Sequence, residues 1–407
     1  MADNAQVQDA ELRRALNLPL LVFYGLGVTI GAGIYVLIGA VAGHAGYYAY
    51  ASFALAALVM GFTVLSYGEL TARFPVSAGA AAFVLHGFRS HGLARIAGLL
   101  VVVVGLVSAA AIAAGSTGYI RQFADIPELP LLVLVILAMG AIAAYGIVES
   151  TLFAAILTAV EIIGLLIVIA AGPLFDAEPV TASPGTAAGA NLWTGIFAAG
   201  LLAFFAFIGF ESLANVAEEA EHPGRNMPRA IILTLLISTA LYMALAIAAV
   251  HVVPPNELAA SPAPLSLVFE RSTGLSPLVM AAIAILATLN GVVVQIIMVS
   301  RVMHGMARQG DLPPALGLVH PFTQTPLIAT AVAVVLIVLS AALAPLERLA
   351  EVTSILSLLV FALVDFALVI IKLRDGPPAA STFKVPVFVP AAGFLLSLGL
   401  IAAAVWL

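Results

Sequence analysis

The sequence contains no cysteine, which excludes disulfides, thiolate chemistry and cysteine-ligated metals and says nothing of the redox compartment. Charge is also scarce: 9% of residues are Asp, Glu, Lys or Arg, against about 25% in soluble domains. These charges fall in short connections and form no acidic or basic tract, so nothing points to nucleic acid, and the formal net charge of -6 names no partner. Histidine occurs seven times, as His44, His86, His91, His222, His251, His304 and His320. Each falls in an expected loop or at an expected helix end, and none pairs obviously with an acid. Hydrolysis within a membrane would need a nucleophile with its base, paired acids at one depth, or metal ligands. An enzyme is therefore not expected, and neither a cofactor nor a metal is indicated.

What the chain has instead is apolar surface. Hydrophobic residues make up 63% of its 407, and the mean hydropathy is +1.17. Apolar stretches of about 20 residues, each long enough to cross roughly 30 Å of hydrocarbon, recur along the whole length. No soluble globule of this size could hide so much apolar surface, so the lipid bilayer is the expected solvent. The first apolar run is too long and too glycine-rich for the core of a cleaved signal and reads as a permanent span.

Runs bounded by charges, Pro and Gly predict eleven helices, at 19 to 40, 47 to 70, 94 to 119, 129 to 146, 150 to 172, 192 to 217, 229 to 252, 274 to 303, 326 to 344, 349 to 372 and 386 to 407. With the N-terminus in the cytoplasm, the inner side receives Arg13, Arg14, Arg73, Arg89, Arg95, Arg225, Arg229, Arg301, Arg308, Lys372, Arg374 and Lys384. The outer side receives only Arg121, Arg271 and Arg348, which completes the fifteen basic residues. A missed or invented helix would reverse every later loop, so the asymmetry supports both segmentation and orientation. It leaves Leu407 outside. Residues 71 to 93 suit a helix lying along the inner interface, and the proline-rich stretch 254 to 271 suits an ordered outer lid.

Two of the expected helices carry interruptions. Helix 1 contains Gly25, Gly27, Gly31 and Gly33 around Thr29, Ile30 and Ala32, and each glycine costs about 1 kcal/mol of helix propensity relative to Ala. Helix 6 runs Phe204, Phe205, Ala206, Phe207, Ile208, Gly209, Phe210, Glu211, placing a glycine and a carboxylate in an aromatic span. The two lie five helices apart, as expected if helices 1 to 5 and 6 to 10 are inverted repeats with a site at their interface. Unwound backbone at membrane depth survives only inside protein or beside a wet cavity. There its N–H groups attract a carboxylate and its carbonyls an ammonium, and a zwitterionic amino acid carries both. Gly27 and Gly31 also have the GxxxG spacing that lets membrane helices pack closely without a break. The pairing of two interruptions favours the broken-helix reading.

Four patches resemble the amino acid-polyamine-organocation (APC) superfamily, whose members have the LeuT-like fold. They are GVTIGAGIYVLIG, SYGELTARFPVSAG, FFAFIGFESLANVAEEAEHPGRNMPRAI and SRVMHGMARQGDLPPALGLVHPFTQTP, and the resemblance covers nearly the whole chain. It implies an all-α polytopic membrane protein of 11 transmembrane helices: a cytoplasmic segment 1–18, a first five-helix repeat 19–172, an external loop 173–191, a second repeat 192–373, and a loop and extra helix 374–407. It further implies a substrate carboxylate near Gly31, Ala32 and Gly33, and an amine near the carbonyls around Thr29, Ile30, Phe204, Phe207 and Ile208, with Phe205 as an aromatic gate beside Gly209. Ala32 stands where some relatives have a hydroxyl residue, so carboxylate recognition would rest on backbone N–H groups.

Glu161 lies among apolar neighbours at the middle of helix 5, where a charge costs at least ~2.5 kcal/mol on insertion scales. A cation partner or a proton is expected. The resemblance places it where several proton-coupled relatives have a lysine facing the break in helix 1. A carboxylate there can cycle H+, can coordinate Na+ with helix 1 carbonyls and Asn290, or can stay protonated and hydrogen-bonded to a neighbouring helix. Glu211 follows the second break and either ties an inner gate or caps the restarted half-helix. Asp365 ranks below both, within reach of polar groups near Lys372, and Glu218, Glu219 and Glu221 read as a solvated or loop-docking face. No intramembrane Arg or Lys marks an acidic substrate and no acid cluster a cationic one. A carrier of neutral or varied amino acids is expected, by symport or exchange. A channel would share the hydropathy and is set apart by the doubled interruption.

Overall fold

The chain is described by a computed structural model over residues 16–31, 33–75, 79–146, 151–172, 190–376 and 382–406. Apolar segments without water must satisfy every peptide group internally, and the described residues do so almost entirely by helix. In chain order these are α1 (Leu18–Ile30), α2 (Gly33–Ala45), α3 (Ala49–Arg73), a short α4 (Gly79–Phe88), α5 (His91–Ile120), α6 (Glu128–Tyr145), α7 (Thr151–Ala171) and α8 (Ala190–Phe205). A 3-10 segment, Phe210–Glu219, follows. Then come α9 (Pro223–Val252), the short α10 (Pro255–Ala260) and α11 (Pro264–Thr273), α12 (Leu278–Arg308), α13 (Leu327–Leu343), α14 (Leu346–Asp375) and α15 (Phe388–Trp406).

Among the described residues, seven stretches are long and apolar enough to cross a membrane: Gly33–Arg73, His91–Ile120, Glu128–Tyr145, Leu192–Glu219, Pro223–Val252, Pro277–Arg308 and Leu346–Asp375. Leu18–Ile30, Ala155–Ala171, Leu327–Leu343 and Phe388–Ala403 are shorter apolar helices. The protein is thus a nearly all-helical polytopic membrane protein, and length and composition by themselves do not fix the count at eleven. Ends differ from expectation by a few residues; α12 runs on to Arg308, so His304 lies within a helix.

Local chemistry sets the ends. Asn17 caps α1, its side chain accepting the Leu20 N–H at 3.1 Å, with Pro19 in the first turn. Ser90 caps α5 through the Leu93 N–H at 3.4 Å. The stretch expected as an outer lid is ordered as α10 and α11, lying so close to the membrane helices that a Cβ on Gly39 would meet the Leu258 carbonyl and one on Gly118 the Pro262 carbonyl.

The strongest polar anchor was not singled out from sequence. Glu69 on α3 is 0% exposed, and a lone charge there would cost several kcal/mol. It is held by Arg73 and by Lys372 of α14, each at 2.6 Å, and it accepts the Val385 N–H at 2.7 Å. One carboxylate therefore fastens α3, α14 and the approach to α15 together. Lys372 is thus engaged with Glu69, while the buried Asp365 accepts the Thr63 hydroxyl at 2.8 Å and faces Gly393 of α15. The acidic stretch after the 3-10 segment docks a loop: Leu16 donates to the Glu219 carbonyl at 3.0 Å, and Glu221 N–H donates to the Leu16 carbonyl at 2.9 Å. His44 lies 3.9 Å from Glu347, an exposed histidine–acid pair that sequence reading did not anticipate.

Candidate functional site: two interrupted helices in contact

Both glycine-marked helices are interrupted. α1 ends at Ile30 and Gly31, and winding resumes at Gly33 as α2; Ala32, between them, lies outside the described residues. α8 ends at Phe205, and Ala206, Phe207 and Ile208 make short bonds three residues back, at 3.0 to 3.1 Å. Gly209 then adopts φ +131°, a conformation that favours glycine, before the 3-10 segment begins. The Glu211 carboxylate accepts the Gly209 N–H at 2.8 Å, so it satisfies a donor released at the restart.

The two interruptions touch. A Cβ on Gly33 would stand 2.5 Å from Ala206 Cα, and one on Gly209 would stand 2.7 Å from the Val28 carbonyl oxygen. Gly33 is therefore required where α2 crosses the unwound backbone at Ala206, and Gly209 where the restart crosses the last turn of α1 at Val28. Of the GxxxG pair, Gly27 packs closely against Thr158 of α7, and Gly25, earlier on α1, packs against Thr234 of α9.

Tyrosines serve the carbonyls around the interruptions. Tyr242 of α9 donates toward the carbonyls of Thr29, at 2.9 Å, and Ala206, at 3.0 Å, one from each interrupted helix. Its ring is fixed by Phe53 and Phe207, at centroid distances of 5.8 and 5.0 Å. Tyr35 donates to the Glu161 carbonyl at 2.7 Å, and Tyr119 donates to the Tyr35 carbonyl. Glu161 is 1% exposed, with a carboxylate oxygen 4.0 Å from where a Cβ on Gly31 would sit, so it faces the α1 interruption.

A cavity of about 30 Å³ lies beside the contact. That is room for water and too little for an amino acid. Of the residues expected at the site, Thr29, Gly31, Gly33, Phe205, Ile208 and Asn290 reach its wall. Ile30, Phe204 and Phe207 do not. Their side chains are buried in the core, Phe204 against Phe361 at 6.1 Å and Phe207 edge-on to Phe53 at 6.5 Å. Gly209 sits against Val28, and Glu211 sits beside it, away from that wall. The opposite wall was missed: Ser108 and Ile112 of α5 with Gly291, Val294 and Gln295 of α12. Among the described residues no three His, Cys, Asp or Glu side chains gather as metal ligands.

Residues 16–407 match the family model described as amino acid permease. The chain is 31% identical to the branched-chain amino acid permease BcaP of Bacillus subtilis strain 168, over 93% of this chain and 85% of that protein. It is 31% identical to cationic amino acid transporter 2, vacuolar, of Arabidopsis thaliana, over 92% of this chain and 62% of that longer protein. It is 26% identical to the methylthioribose transporter of Bacillus subtilis strain 168, over 95% of this chain and 87% of that protein. A family model that spans nearly the whole chain and relatives that are transporters place it without ambiguity: the protein belongs to the amino acid permease family of the APC superfamily.

Proposed function

We propose that the chain is a secondary active carrier of neutral amino acids that works by alternating access on the LeuT-like plan, with 19–172 and 192–373 as inverted five-helix repeats and the N-terminus in the cytoplasm. The observation that carries this reading is the contact between two interrupted helices, which leaves backbone donors and acceptors at one place deep among apolar helices. N–H groups at the start of α2 favour a carboxylate, and the carbonyls of Thr29 and Ala206 favour an ammonium. The Tyr242 hydroxyl now faces both carbonyls. An arriving ammonium would take over that place. The small cavity fits a closed conformer that must open to load and to release.

The relatives' names span branched-chain and cationic amino acids and methylthioribose, so substrate choice does not transfer by similarity. Coupling is assigned to Glu161 because its carboxylate faces Gly31, where a bound proton and a bound substrate would influence one another. The test is counterflow in proteoliposomes loaded with unlabelled amino acids. A carrier accelerates entry of labelled substrate when its partner waits inside. Entry indifferent to internal substrate would mean a channel and would overturn the reading.

A further inference from the structure

The part of the cavity lined by α5 and α12 is polar in a specific way. On α12, Asn290, Gly291, Val294 and Gln295 follow the i, i+1, i+4, i+5 spacing of one helical side. On α5, Ser108 stands opposite, and its hydroxyl oxygen is 3.4 Å from Gln295 Nε2, a long and weak bond. Gln295 Oε1 and Asn290 Oδ1 are both shielded from the surface with no hydrogen-bond partner among the described residues, and so is Thr29 Oγ1 on the facing wall. Gln295 Oε1 stands 3.5 Å from where a Cβ on Gly105 would be, an ordinary contact distance that places the amide beside α5.

Polar groups buried in a membrane protein are expensive when unpaired, and they commonly mark substrate or ion pathways. Two carboxamides on α12 and a hydroxyl on α5 therefore bring hydrogen-bonding groups to this one cavity. Among the described residues no charged side chain lines the cavity, and Glu161 lies on the α1 side, behind Gly31. A cationic or anionic side chain would find no counter-ion on this wall. A purely aliphatic side chain would cover the amides without bonding them. A site built to hydrogen-bond a substrate rejects the analogue that lacks the bonding group far more strongly than an apolar pocket rejects a wrong shape.

Resting on the reading above, we propose that Gln295, Asn290 and Ser108 form the side-chain pocket and that the preferred substrates are amino acids with a small, uncharged, hydrogen-bonding side chain, of the hydroxyl or carboxamide type. Threonine and valine are the diagnostic pair, because they differ in a hydroxyl for a methyl at nearly constant shape.

The experiment is competition against labelled threonine in proteoliposomes of the full chain, with valine, leucine, asparagine, lysine and glutamate as competitors, repeated for Gln295→Leu and Ser108→Ala. The expected result is that threonine and asparagine compete about 10-fold to 100-fold better than valine, and that Gln295→Leu narrows or inverts the ratio of threonine to valine. Ser108→Ala should reduce the ratio less, and melting of each purified variant shows that it is folded. Valine competing as well as threonine in the parent, or a ratio unmoved in a folded Gln295→Leu variant, would overturn the pocket and leave amino acid transport standing. Failure of every amino acid to enter or compete would overturn both.

Discussion

The Tyr242 hydroxyl sits 2.9 Å from the Thr29 carbonyl oxygen, in the last turn of α1, and 3.0 Å from that of Ala206, just past the end of α8, so one proton serves two helix ends. Tyr242→Phe keeps the ring among Phe53 and Phe207 and removes only that proton. Two buried carbonyls are then left short of a donor, at a cost of about 1–3 kcal/mol. The substrate-free variant should melt several degrees below the parent, and saturating substrate should recover part of the difference by supplying an ammonium. A loss of equal size with and without substrate would mean that Tyr242 only braces the fold.

Gly209 is constrained twice, by φ +131° and by the Val28 carbonyl 2.7 Å from any added Cβ. Gly209→Ala should abolish transport and lower stability by about 1–3 kcal/mol, the range of local backbone strain. Gly224, in the first turn of α9, has open space around it and an unremarkable φ. Gly224→Ala should be neutral within about 0.5 kcal/mol. Parallel melting and uptake assays would refute the argument if both behaved alike.

Glu161→Gln preserves shape and removes the ability to ionise. Uptake by the parent should rise with an inward proton gradient, and uptake by the variant should lose that response while counterflow persists. A pH-sensitive dye trapped in the vesicles reads proton entry directly. Unchanged dependence on both pH and Na+ would remove Glu161 from coupling.

Glu69 compensates two cations at once, Arg73 and Lys372. Glu69→Gln leaves both in a dry environment and should cost about 3–5 kcal/mol, as breaking a buried ion pair does. Lys372→Met should cost less, because Arg73 and the Val385 N–H still satisfy the carboxylate. Melting in detergent would contradict this ranking if the lysine variant proved the less stable.

What could be read from the sequence follows from how rare each signal is. A carboxylate among ILTAVEIIGLL or four glycines in a span violates the ordinary composition of membrane helices, so Glu161 and the interruptions at Gly31 and Gly209 stand out. Tyr242 does not: a tyrosine in an apolar run is unexceptional, and its partner Thr29 is 213 residues away. Glu69 sat inside a recognised patch, but its partner Lys372 lies 303 positions off in another helix, and no local pattern joins them. Gln295 and Ser108 were passed over for the same reason. The phenylalanines of helix 6 were read for their carbonyls, and sequence had no means to show that Phe204 and Phe207 turn their rings into the core while Phe205 lines the cavity.

The 3-10 winding of Phe210–Glu219 spans ten residues, well beyond the three or four that such a helix usually sustains. Rewound as α-helix, with a rise of 1.5 instead of 2.0 Å per residue, the same stretch would be shorter by about 5 Å. Its far end is tied to Leu16 by the paired bonds at Glu219 and Glu221. A change of winding there would have to draw on the Leu16 attachment just ahead of α1, because the paired bonds leave no slack between the two.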